Sequence, residues 1–139
     1  MNLQRFHEAQ AGSYATALAE LKAGRKQSHW MWFIFPQLAS LGRSGTAKFY
    51  GIADLAEARA YLADPVLGPR LIACAEAVLS HPGRSAEAIL GPVDALKLRS
   101  SATLFALAEP GSAAARVMQE VLDTFHGGEP CPLTVAALA

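Results

Sequence analysis

Apolar positions recur at helical spacing along most of the chain. In SYATALAELKAG (13–24), Leu18 and Leu21 stand three apart, Ser13 precedes the run as a side-chain cap, and Gly24 follows as its stop. Asp54 with Glu57 forms a capping-box pattern that opens DLAEARAYLAD, with Leu55, Ala58 and Leu62 on one face. Asp64-Pro65 predicts a restart, aspartate as cap and proline at the first helical position. Behind it Leu67, Leu71, Cys74 and Val78 run at spacings of four, three and four, ending before His81-Pro82-Gly83. Ser85 opens a short turn, SAEAIL, closed by Gly91-Pro92, and a helix over 93–108 stops at Glu109-Pro110-Gly111. Ser112 opens the most regular amphipathic stretch, where Val117, Val121 and Phe125 are joined by Met118 and Leu122 before Gly127-Gly128. Pro130 and Pro132 then lead into a short C-terminal segment.

Strand patterns are scarce. No stretch alternates apolar and polar residues with β-branched enrichment, and WMWFIF (30–35) fits a buried strand or a buried helix equally. The expected architecture is all-α: one compact domain over 1–139, six to eight helices, and at most one minor strand near 30–35.

Composition narrows the class. The 139 residues are 52% hydrophobic, too apolar for a disordered chain, and a chain of this length buries roughly two thirds of its unfolded surface without staples. Twelve basic and twelve acidic side chains cancel, which argues against general nucleic-acid binding. The two cysteines, Cys74 and Cys131, stand far apart with no CxxC, as reduced thiols do. MNLQRFHEAQ lacks the charged and apolar regions of a secretory signal, and no apolar run approaches the ~20 residues of a membrane span. A cytoplasmic protein with no membrane partner is expected.

The neutral total conceals an uneven distribution. Between Glu20 and Asp54 there is no acidic residue, while Lys22, Arg25, Lys26, Arg43 and Lys48 fall there together with six of the eleven aromatics. From Asp54 onward ten acids face six bases. One reading is that the later helices simply use glutamate to solvate themselves. The other is a site for an anion carrying a flat ring, with aromatics to stack and cations to hold phosphate.

Three stretches carry candidate chemistry. In SHWMWFIFPQ, most aromatics must be core, and His29 stands at the polar edge as a capping histidine or as a catalytic group able to donate and accept near neutral pH. In LGRSGTAKFYG, Gly42, Gly45 and Gly51 bare the backbone while Arg43, Ser44 and Lys48 offer donors; it reads as a surface loop or an anion cradle. It is not a P-loop, because the GxxxxGK(S/T) spacing fails. In DALKLRSSATLF, Asp94, Lys97 and Ser101 fall within one arc of a helix that is apolar on several sides. That arc reads as an intrahelical ion pair or as a carboxylate and ammonium lining a cleft. His7, His29, His81 and His126 show no metal-ligand spacing, so no metal or other cofactor is expected.

SHWMWFIFPQLASLGRS, YLADPVLGPRL and DALKLRSSATLF, in that order, resemble a bacterial family known as a domain of unknown function, with the likeness running from about Leu3 to Thr134. A calpastatin-like label accompanies that family, yet inhibitors of that kind are polar and disordered, unlike this composition. The chain also resembles the NADAR superfamily in its helical build, its early aromatic block and the placing of LADPVLGPRL before a lysine-bearing helix. That resemblance implies action on N-glycosidic bonds in nucleotide or ADP-ribose compounds, and no motif carries its catalytic residues across.

Two expectations follow. In the first, the chain binds, and in an enzymatic version hydrolyses, a small anionic nucleotide-like ligand. His29, Trp30, Arg43, Ser44 and Lys48 form one wall, and Asp94, Lys97 and Ser101 the other. Asp94 and His29 would be the catalytic pair, Asp94 orienting water or steadying an oxocarbenium-like centre, while Lys97 and Arg43 hold phosphate. In the second, the chain is a non-catalytic homodimeric interaction module whose surplus aromatics anchor a partner.

Overall fold

The computed structural model describes residues 2–139. Ten α-helices and one 3-10 turn occur among them, and the protein is all-α, as the periodicity predicts. The number exceeds six to eight because several helices are only one or two turns long. The first half holds α1 (Gln4–Ala11), α2 (Tyr14–Ala23), the single turn α3 (Met31–Ile34), a 3-10 turn (Ala39–Leu41), α4 (Gly45–Phe49) and α5 (Leu55–Ala63). The second holds α6 (Leu67–Leu79), α7 (Ala86–Leu90), α8 (Pro92–Ala108), α9 (Ala113–Phe125) and α10 (Pro132–Leu138).

Four of the ten helices start on a side-chain cap. Ser44, Ser85 and Ser112 each accept a hydrogen bond from the backbone N–H three residues on, at 3.1 Å. Asp54 accepts from Glu57 N, and Glu57 in turn accepts from Ala53 N. Asp64 accepts from the amides of Val66 and Leu67, so α6 begins at Leu67 rather than at the proline. Ser13 does not cap α2 with its side chain: the chain is still turning out of α1, with Ser13 N bonded to Gln10 O, and the hydroxyl is not aimed at the helix. The far end of α2 is closed by Gly24 at φ +76°. His81 Nε2 donates to the carbonyls of Leu21 and Lys22, and Arg84 donates to that of Gly24.

The segment 30–35 is not a strand. Trp30 O accepts from Phe33 N and Ile34 N, and Phe35 N returns to Met31 O, so these buried backbone groups pair within one turn. The extended pairing lies just beyond it, an isolated parallel bridge between Leu38 and Ile52. Ala39 N donates to Ile52 O and Ile52 N to Gln37 O, each at 2.8 Å, which draws residues 37–52 into a closed loop. Gly51 makes this closure possible, since a Cβ there would collide with the Ala39 backbone. Arg5 locks the outside of the loop, donating to Gly51 O and pairing with Glu57, each at 2.9 Å.

α8 is the central element, packed against α5, α7, α9 and α10 and buried without a break from Ser100 to Phe105. Around it Phe6, Tyr61 and Phe105 form an aromatic chain, with centroids 5.1 and 5.3 Å apart. The buried Gln10 amide stitches α1 into this core, donating to Phe33 O at 2.7 Å and to the Tyr61 hydroxyl at 3.0 Å. No described helix is long and apolar enough to cross a membrane.

Candidate functional site

The acid-free window divides into a closed joint and an open cleft. The joint is organised by Glu20, near the end of α2. Its Oε1 accepts from Gln27 N, Ser28 N and the Trp30 indole at 2.7, 2.9 and 3.0 Å, and its Oε2 from the Ser28 hydroxyl at 2.6 Å. Burial alone would raise its pKa; the Ser28, Gln27 and Trp30 donors outweigh that and hold it at about 2. Trp30 is therefore core, its ring buried and its N–H satisfied.

A ladder of charge and aromatic faces leads from the joint to the cleft. Lys26 Nζ lies 5.2 Å from the Trp30 ring centroid and 3.0 Å from Asp94 Oδ2. The other oxygen of Asp94 faces Lys97 Nζ at 3.4 Å, and Lys97 lies 4.8 Å from the Trp32 ring centroid. Two ammonium groups thus share one carboxylate, leaving the ladder a net positive charge at its outer end.

That end opens into a cavity of about 280 Å³ between the 37–52 loop and α8, walled by Trp32, Tyr50, Arg43, Ser44, Gln37 and Lys97. A larger groove of about 710 Å³ adjoins it and shares Gln37, Leu41, Arg43 and Lys97. Among the described residues no aspartate, glutamate or histidine lines either one. Trp32 faces the cavity because its neighbours Met31, Phe33 and Ile34 use the other sides of a single turn for the core.

The structure brings together Arg43, Ser44 and Lys97 and sets the remaining candidates elsewhere. Asp94 stands beside Lys97 with its two oxygens facing the Lys26 and Lys97 ammonium groups, and it does not line the cavity. His29 is exposed in a separate depression beside Ser13, Thr16 and Trp30, and Asp94 does not line it. Trp30 is core. Lys48 is exposed on α4 outside the cavity lining. Ser101 is fully buried within α8, its hydroxyl without a partner. Gly42 and Gly45 do not take the left-handed conformation of an anion-wrapping nest.

Sequence reasoning missed Trp32, Tyr50, Gln37 and Cys131. The polar residues of α8 next to Ser101 prove to be anchors for the C-terminus. Ser100 and Thr134 hydroxyls meet at 3.0 Å, and Thr103 Oγ accepts from Cys131 N at 2.8 Å. Both cysteines are free thiols. Burial pushes Cys74 up to about 12. For Cys131, burial is opposed by hydrogen bonds from Thr134, Leu133 and Ser100, which carry its pKa below the usual thiol value.

A family model described as a protein of unknown function, DUF1810, matches residues 1–138. The chain belongs to the DUF1810 family. It is 50% identical to the conserved hypothetical protein Rv1873 from Mycobacterium tuberculosis, whose crystal structure superposes with a TM-score of 0.93 over 98% of this chain and 95% of that one. The family match extends a few residues beyond both ends of the likeness read from the sequence. No curated protein matches this DUF1810 chain.

Proposed function

We propose that the cavity between the 37–52 loop and α8 binds a small anionic ligand with a flat ring, of the nucleotide or ADP-ribose class. The observation that carries this reading is a wall with two cations, Arg43 and Lys97, two aromatic rings, Trp32 and Tyr50, and no acidic side chain. The cations hold phosphate, the Ser44 hydroxyl adds a donor while its oxygen caps α4, and a base or nicotinamide-like ring stacks on Trp32 or Tyr50. The volume suits part of such a ligand, with the remainder reaching into the adjoining groove. Without a carboxylate or histidine facing the cavity, the arrangement supports recognition rather than hydrolysis by these side chains.

Thermal-shift titration with ADP-ribose, AMP, inorganic phosphate and uncharged adenosine tests the proposal. A phosphate-bearing ligand at ~100 times its Kd adds about 2.7 kcal/mol of stability, a melting shift on the order of 10 °C for a chain of this size. Lys97→Ala and Arg43→Ala are expected to abolish the shift, and adenosine to give none. No shift with any phosphate compound at millimolar concentration would overturn the reading.

A further inference from the structure

The larger groove has a character of its own. Most exposed aliphatic side chains on a small protein are scattered, yet Val93, Leu96 and Leu133, each about two-thirds exposed at 65, 64 and 68%, converge on this one feature. Val93, Leu96, Lys97 and Ser100 lie at i, i+3, i+4 and i+7 along α8, so one wall follows the helix for roughly 10 Å. Pro132 and Leu133 at the start of α10 form the facing wall, held in place by the Ser100–Thr134 and Thr103–Cys131 hydrogen bonds. The groove is therefore preformed, so little ordering is needed on binding. Arg43, Lys97 and Arg99 flank the apolar floor; Asp94 offsets Lys97 in part, and no acidic side chain lines the groove itself.

From this we infer that the groove is a docking surface for an acidic amphipathic helix of a partner protein, its aliphatic face against Val93, Leu96 and Leu133 and its carboxylates against the three cations. The geometry matches helix-in-groove recognition, with anchors at helical spacing for affinity and charge for orientation. Charge also decides against the other natural occupant, a second copy of this chain. In a two-fold interface the same patch meets itself, which would bring two copies of the basic Arg43, Lys97 and Arg99 cluster together. This goes beyond the small-ligand proposal and is separable from it, because Leu96 and Leu133 line only the groove, whereas Ser44 and Tyr50 line only the cavity.

The test is fluorescence anisotropy of a labelled synthetic helix of about fourteen residues (~20 Å), with leucine at i, i+3, i+4 and i+7 and glutamate elsewhere, titrated with the full chain. The acidic helix is expected to bind with a Kd below about 0.1 mM, and a version with lysine in place of glutamate at least ~10-fold more weakly. Leu96→Ser with Leu133→Ser should weaken the acidic helix at least ~10-fold while circular dichroism stays native, because both side chains are already in solvent. Ser44→Ala should leave it unchanged. Equal affinity for the two helices, or indifference to the Leu96 and Leu133 substitutions, would overturn the inference. So would a dimer in sedimentation that those substitutions dissolve, since the groove would then belong to a second copy.

Discussion

The joint around Glu20 and the cavity beside Lys97 draw on the same short stretch of chain, and each holds a tryptophan, a serine and basic side chains. They differ in the supply of carboxylate. At the joint, one glutamate takes four donors, and the Trp30 indole is one of them. At the cavity, Lys97 has only a share of Asp94, which it divides with Lys26, and no acidic side chain lines the wall. A basic, aromatic window therefore does not mark a site along its whole length. The candidate site begins where the internal carboxylates run out.

The most severe way to break this contrast is to truncate each tryptophan. Trp30→Ala removes a fully buried ring and a satisfied N–H, and is expected to cost about 3–5 kcal/mol in denaturant unfolding. Trp32→Ala trims a cavity wall and should cost less than about 1.5 kcal/mol. Equal losses would show that the two rings are not divided between core and cavity.

Removing the joint's carboxylate comes next. Glu20→Ala leaves four donors to find water and is expected to destabilise the chain by about 2–3 kcal/mol. The sign of the pH dependence follows from the direction of its shift. Because the folded pKa is depressed, Glu20 contributes its stability above the ordinary carboxylate value of about 4.5, and that contribution is lost as pH falls through about 2. Acid titration of the melting temperature should thus be shallower over that window in Glu20→Gln than in the native chain. Parallel curves would mean that the four bonds do not hold the carboxylate ionised.

Fold class was legible because caps and apolar stripes are local signals. Ser85, Ser112 and the Asp54–Glu57 pair work in the folded chain as their spacing indicates, and the Leu67–Val78 stripe is buried as drawn. α1 was not legible, since its inward face pairs Phe6 with a polar residue, Gln10, whose partners Phe33 and Tyr61 are distant in sequence. The candidate site was legible by region only. Arg43, Ser44 and Lys97 do meet across the cavity. Which tryptophan joins them depends on Glu20 claiming the other, a contact across ten residues that periodicity does not encode. Ser101 sits in the predicted arc, but the long-range anchoring of α10 engages its neighbours Ser100 and Thr103 instead.

The most direct test of the cavity as the ligand site follows tryptophan emission during titration with ADP-ribose, comparing the native chain with Trp32→Phe. Of the two tryptophans Trp32 lines the cavity, whereas Trp30 is buried and lies outside its lining. The account predicts a saturable change in emission in the native chain that disappears in Trp32→Phe, although Trp30 still fluoresces. The same saturable change in both chains, or none in either at millimolar ligand, would contradict it.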